Sequence, residues 1–174
     1  MGLISVVFNF VGASQIASKV NLWSERDKII EKGRERFWYG YKRNLAVCMG
    51  LGLITKVAVT TANLSDDRAL QHVCLKEGVI FADKGHCSKR AYFVMKKNRC
   101  VNKAILKNNM KQTDFDRDRY LSKLRMPYEK VFSQQNKKAR YVGIAKNQFQ
   151  GFMRAFVHNF KRMIMVQDAF YQGS

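Results

Sequence analysis

The stretch Val79-Ile80-Phe81-Ala82-Asp83-Lys84-Gly85 decides the fold. Its four leading residues are apolar, with no polar alternation, and are too few for a helix. They predict a short strand buried on both faces. The strand ends on an acid immediately before a Lys-Gly turn. In open α/β sheets the fixed backbone at a strand's carboxyl end aims a side chain into a crevice, where ligands and metals bind. Asp83 is therefore a candidate site residue, and the plain alternative is a turn aspartate that hydrogen-bonds its own backbone.

Upstream, Ser65-Asp66-Asp67 predicts a helix start, with Ser65 as N-cap and two acids in the first turn. Ala69, Leu70, Val73 and Cys74 follow at helical spacing. Further back, Trp38–Met49 and Ile54–Thr61 are strand-like runs on either side of Gly50-Leu51-Gly52, a hairpin signal. Residues 22–36 are polar and mixed in sign and predict a solvated face or loop. Residues 3–11 are densely apolar and predict an opening strand. Downstream, 88–97 predicts a helix and Lys103–Leu106 a strand. The order of elements implies an α/β fold with a mixed sheet.

From Arg119 to Gln167 the chain turns helical and strongly basic, with eleven Lys/Arg and one acid, Glu129. Pro127 disfavours helix at Met126 and suits the first position of a new helix, which would put Glu129 in a first turn. The last segment carries Phe149, Phe152, Met153, Phe156, Val157, Phe160, Met163 and Ile164 at helical steps. That stripe predicts a face packed into the core, and residues beyond Val166 are expected to fray.

The chain of 174 residues has a formal charge of +19. Such an excess repels itself within a compact fold and calls for a polyanionic partner, nucleic acid first and anionic membrane second. No run approaches the roughly 20 apolar residues of a bilayer span. The apolar opening lacks the basic start of a signal peptide, and residue 6 is Val, which fails the myristoylation pattern. Cys48, Cys74, Cys87 and Cys100 are scattered without a Cys-x-x-Cys, which favours reduced thiols in a cytoplasmic protein. Zinc through Cys87, Cys100 and His86 matches no ligand spacing.

Among candidate chemistries, phosphate-cradling glycine loops and Ser/His or Cys/His motifs are absent from the sequence. Glu129, beside Arg125 and Lys130, is expected to stay ionised; its plain alternative is a first-turn acid favourable to the helix dipole. Asp66 and Asp67 compete for a site role but have an adequate explanation as capping acids. Asp83 and Glu129 in a basic chain suggest Mg²⁺ held by carboxylates beside a phosphate backbone. Two such ions about 3.5–4 Å apart would drive an in-line displacement at phosphorus.

Leu22-Trp23 with Glu25-Arg26-Asp27-Lys28, Phe37-Trp38-Tyr39-Gly40-Tyr41-Lys42, Val59-Thr60-Thr61-Ala62-Asn63 and Ala82-Asp83-Lys84-Gly85 together resemble bacterial insertion-sequence transposases of the DDE group, the IS-four/IS-five type. The resemblance resumes at Arg125, Glu129, Phe132 and Lys138, then Arg140-Tyr141, Gly143, Ala145-Lys146-Asn147, Gln150, Asn159 and Lys161-Arg162. It implies an RNase H-like mixed β-sheet flanked by helices, three metal-binding acids, Mg²⁺ or Mn²⁺ as cofactor, and cutting and joining of DNA.

On that resemblance Asp83 matches the second acid and Glu129 the third, with Arg125 ahead of Glu129 as in the family's signature. The first acid, expected in a context like Val-Asp-Ala-Ser, falls on Val11-Gly12-Ala13-Ser14, so Gly12 stands where a carboxylate belongs. The resemblance thus implies a truncated, inactive copy that keeps DNA binding, with residues 1–166 as the DDE domain and 167–174 as a tail. Arg125, Lys130, Lys137, Lys138, Arg140 and Lys146 are the expected phosphate contacts. A homodimer is compatible with the sequence. The competing reading is a non-enzymatic basic nucleic-acid-binding protein.

Overall fold

The computed structural model describes residues 8–17, 26–31, 34–107, 110, 114–133 and 139–172. Six strands and four helices run in the order β1 (Phe8–Ala17), β2 (Arg26–Glu31), β3 (Arg34–Cys48), β4 (Ile54–Thr61), α1 (Asp66–Val73), β5 (Gly78–Ala82), α2 (Lys89–Lys97), β6 (Cys100–Ala104), α3 (Phe115–Ser133) and α4 (Ile144–Gln172). The main sheet has the order β4-β3-β1-β5-β6, and β2 pairs with the amino-terminal part of β3. β3 runs antiparallel to each of its neighbours β1, β2 and β4, whereas β5 runs parallel to β1 and β6 parallel to β5. This is the expected RNase H-like mixed sheet flanked by helices.

The hairpin forms where the glycines predict it, with the Gly52 and Cys48 backbones bonded across the turn and Gly52 at φ 70°. Of residues 22–36, expected as a solvated face or loop, 26–31 and 34–36 instead belong to an antiparallel ladder that pairs 26–31 with 34–39. Mixed charge did not prevent pairing, because the register sets no like charges opposite one another: Asp27 stands opposite Trp38, Lys28 opposite Phe37 and Ile30 opposite Glu35, and Glu31 opposite Arg34 is a pair of opposite sign. The opening strand extends to Ala17, past the Val11 end expected for it, residues 3–7 lying outside the described part, and β6 starts three residues earlier than expected.

Helices cover both faces. On one, Leu70 and Val73 of α1 and Ala91 and Met95 of α2 pack on Val11, Ala46, Ala58, Ile80 and Ala82. On the other, Leu121 and Val131 of α3 meet Leu45, Val47, Ile54, Phe81 and Ile105, and Tyr128 donates its hydroxyl to the Met49 carbonyl. Those contacts explain the first correction: α3 runs unbroken through Pro127 rather than restarting there. An internal proline removes one helical bond and costs about 3 kcal/mol. Leu121 and Leu124 before it, and Tyr128, Val131 and Phe132 after it, pack on the same sheet face and hold both halves in one axis.

The second correction concerns α4. All eight apolar residues of its stripe are exposed, Phe156 at 64% and Phe149 at 62%. The face turned to the sheet is instead Asn147, Gln150, Gly151 and Ala155, flanked by Gln148 and Asn159. Gln148 accepts from Val59 N (2.6 Å) and donates to Val57 O (3.1 Å); Asn159 accepts from Ile54 N (2.7 Å) and donates to Ile54 O (2.8 Å). These amides complete the unpaired backbone of the edge strand β4, which would otherwise need another strand or water. The helix also continues to Gln172, past the point where fraying was expected.

Candidate active site

The parallel pairing of β1 with β5 ends at Val11 opposite Ala82. One residue further along each strand stand Gly12 and Asp83, so the topology sets the position expected to hold a first acid beside the second. The Asp83 side chain is 43% exposed. Its Oδ1 accepts the Gly85 N–H (3.0 Å) and meets Nδ1 of the buried His86 at 2.8 Å. The turn-aspartate alternative is therefore correct as far as it goes, and the histidine is an addition to it. Burial by itself would raise the Asp83 carboxyl. The His86 hydrogen bond, the charges of His86 and Arg125, and the Gly85 N–H outweigh it and hold the group below the usual carboxylate value.

Helix α3 lies against β1 and β5 and brings Arg125 and Glu129 to this end of the sheet. Arg125 Nη2 is 3.0 Å from Glu129 Oε1. The Arg125 side chain is 12% exposed and that of Glu129 57%. One guanidinium thus binds Glu129 directly and is close enough to Asp83 to lower its pKa, so the two acids share one side of the molecule. The dipole explanation of Glu129 fails, because the residue sits near the carboxyl end of α3, where a negative charge is unfavourable. Its Arg125 partner offsets that cost.

Two neighbours of Asp83 were weighed in the sequence for other roles, Asp66 as a capping acid and His86 as a zinc ligand. A Cβ at Gly85 would come 3.1 Å from Asp66 Oδ2 and 3.2 Å from Asp83 Oδ1, so Gly85 separates two carboxylates. Asp66 Oδ1 also lies 3.6 Å from Lys42 Nζ. His86 was legible in principle: an aspartate turn of the form Asp-x-Gly-His brings the fourth side chain back over the first. Asp67, by contrast, serves its helix and the next one, accepting from Arg68 N and Ser88 Oγ.

Of the expected phosphate contacts, Lys130, Arg140 and Lys146 are exposed, whereas Arg125 is mostly buried against the acids. Lys137 and Lys138 lie outside the described residues. A cleft of about 470 Å³ between the hairpin tip, α3 and α4 adds Lys161 and Arg162 to the basic surface beside Lys130. Deeper in, the buried Arg43 is lowered to about 10 by burial and by Arg154, and Arg154 is lowered by burial and by Arg140. Mutual repulsion of this kind is relieved by an anion.

The implied divalent metal fits these side chains poorly. Asp83 Oδ1 is already occupied by two donors, Arg125 neutralises Glu129 and its charge also acts on Asp83, and Gly12 supplies no carboxylate. Among the described residues no group of three or more His, Cys, Asp or Glu is arranged to hold a metal ion, and no helix is long and apolar enough to cross a membrane.

A search of curated proteins gives no match. The family model described as "Transposase DDE domain" matches residues 17–160, which takes in Asp83 and Glu129 and begins after Gly12. With that match over most of its length, on a sheet of the expected order, the chain belongs to the DDE transposase family.

Proposed function

We propose that this is a cytoplasmic transposase domain of the IS-four/IS-five type that has lost strand cleavage and kept DNA binding. Transposases of this family act on DNA and generally use divalent metal ions. The observation that carries the reading is that Gly12 and Asp83 stand one residue beyond the last β1–β5 pair, Val11 with Ala82, while Arg125 pairs with Glu129 and its charge acts on Asp83. On this reading Asp83 and Glu129 stand at the positions of the family's second and third acids, expected as catalytic and metal-binding, but no longer form a working metal site. In this chain His86 and Gly85 fix the orientation of one, and Arg125 fixes the other. Misplacement of even about 1 Å at such a centre costs about a hundredfold in rate, and a missing carboxylate costs more.

DNA binding rests on the exposed Lys130, Arg140 and Lys146, with Lys137 and Lys138 as further phosphate contacts and Arg125 reaching the backbone only at the edge of the acid site. The experiment is a pair of assays on the natural chain. Fluorescence anisotropy with duplex DNA is expected to give an affinity that falls linearly in log–log form with salt, and each Lys→Ala change should flatten that slope by about one. Incubation of supercoiled plasmid with Mg²⁺ or Mn²⁺ is expected to leave it uncut. Chelator-sensitive nicking would overturn the inactivity, and salt-independent binding would overturn the phosphate contacts. Gly12 equally favours a purely non-enzymatic DNA-binding role, which separates from the first reading if a Gly12→Asp chain still ignores chelator.

A further inference from the structure

Residues 84–113 hold nine Lys and Arg and no Asp or Glu. Helix α2 runs through the middle of this stretch, on the sheet face opposite α3, and none of the expected phosphate contacts lies on it. Ala91 and Met95 anchor it to the sheet. Its outer face centres on Phe93, 67% exposed, with Tyr92 beside it at 56%. On a helix the surface neighbours of a residue stand three and four positions away. For Phe93 these are Lys89, Arg90, Lys96 and Lys97, and all four are exposed. An open phenyl ring thus stands inside a frame of four cations.

Helix chemistry does not account for that frame. Lys96 and Lys97 suit the carboxyl end of the helix dipole, but Lys89 and Arg90 occupy the first turn, where a positive charge is unfavourable. Helices α1 and α3 place acids there instead. Among the described residues Lys89, Lys96 and Lys97 form no ion pair, and the charge of Arg90 acts on Asp67 at the start of the helix. Just past the helix, Arg99 adds a further cation at a left-handed φ of 58°, a conformation glycine adopts without strain. Lysine stems can cover an apolar neighbour, and the exposure of Phe93 shows that here they do not.

We infer that the outer face of α2 binds single-stranded DNA, with a base stacked on Phe93 and the flanking phosphates on Lys89, Arg90, Lys96 and Lys97. Unpaired DNA alternates planar bases with anionic phosphates, and an aromatic ring among cations matches both at once. A duplex hides the faces of its bases and offers this surface phosphates alone. A lipid surface fits less well, because a membrane-lying helix separates its apolar face from its basic rim, whereas the apolar face of α2 packs on the sheet. An acidic peptide would use the cations and leave the open ring without a role. Membership of a family that acts on DNA decides between DNA and RNA. The surface is separate from Lys130, Arg140 and Lys146, so the inference stands or falls apart from those contacts.

Fluorescence anisotropy of the full chain with labelled oligothymidine and with a blunt hairpin duplex tests this. Phe93→Leu keeps an apolar side chain and removes the ring. It should weaken oligothymidine binding about tenfold and leave duplex binding unchanged, and Phe93→Trp should restore the lost affinity. Lys96→Ala and Lys97→Ala should each flatten the single-strand salt slope by about 0.7. All four positions changed are exposed or solvent-facing, so circular dichroism should stay that of the natural chain. A Phe93→Leu chain that binds oligothymidine like the natural one, or that loses duplex affinity equally, overturns the inference. So does tighter binding of oligouridine, or of anionic phospholipid vesicles, than of oligothymidine. Oligothymidine binding that persists without duplex binding would remove Lys130, Arg140 and Lys146 as contacts and leave the α2 surface standing.

Discussion

Helices α3 and α4 cover the same face of the sheet by opposite means. Helix α3 turns Leu121, Leu124 and Val131 inward, as a helix on an apolar sheet is expected to do. Helix α4 turns amides inward and phenylalanines outward. The reason lies in what each meets. Under α3 lie side chains of the inner strands β3 and β5, Leu45, Val47 and Phe81 among them, whereas α4 runs along β4, an edge strand with open backbone groups. Apolar side chains cannot pair an N–H or a carbonyl, and Gln148 and Asn159 can. Hydrophobic periodicity therefore reports that a helix has two faces without saying which one the fold needs.

The contrast is open to measurement by urea denaturation at dilutions where the chain is monomeric. Leu121→Ala on α3 should cost about 3 kcal/mol, as buried leucine truncations do. Gln148→Leu on α4 is the sharper case, because it adds apolar area to the inward face. It should nevertheless cost about 2 kcal/mol, since Val59 N–H and Val57 O lose their partner. A stabilised Gln148→Leu variant would break the account of α4. Asp83→Asn should cost about 1 kcal/mol near neutrality, a value reduced for solvent exposure. The sign follows from its depressed pKa: the penalty is complete above the unfolded value of about 3.9 and disappears as pH falls through the lower folded value. A penalty that grows on acidification would contradict the His86 and Arg125 contacts. Phe152→Ala, on the outward stripe, should change monomer stability by less than about 0.5 kcal/mol.

The fold was readable wherever local chemistry and tertiary need agree. Ser65 and Ser88 begin helices, the glycines near 50 turn a hairpin, and 79–82 is a buried strand. It was unreadable where distant packing overrides local preference. Pro127 sits inside a helix because residues on both sides of it bind one sheet face, and the 26–39 ladder forms despite its charge. The candidate site was legible residue by residue, because an acid at a strand end and an acid in a basic helix are local signals. What joins them was not. Arg125 acting on both acids, Asp66 across Gly85 and Gly12 beside Asp83 depend on strand register and helix placement, which no single stretch encodes.

The central claim is that residue 12 and Asp83 face one crevice from which a carboxylate is missing. Titration calorimetry with Mn²⁺ on the natural chain and on Gly12→Asp tests it most directly. Weak or absent heat is expected for the natural chain, saturable binding for Gly12→Asp, and loss of that binding when Asp83→Asn is added. Identical heats for the natural and Gly12→Asp proteins, both folded by circular dichroism, would remove residue 12 from the crevice and contradict the claim.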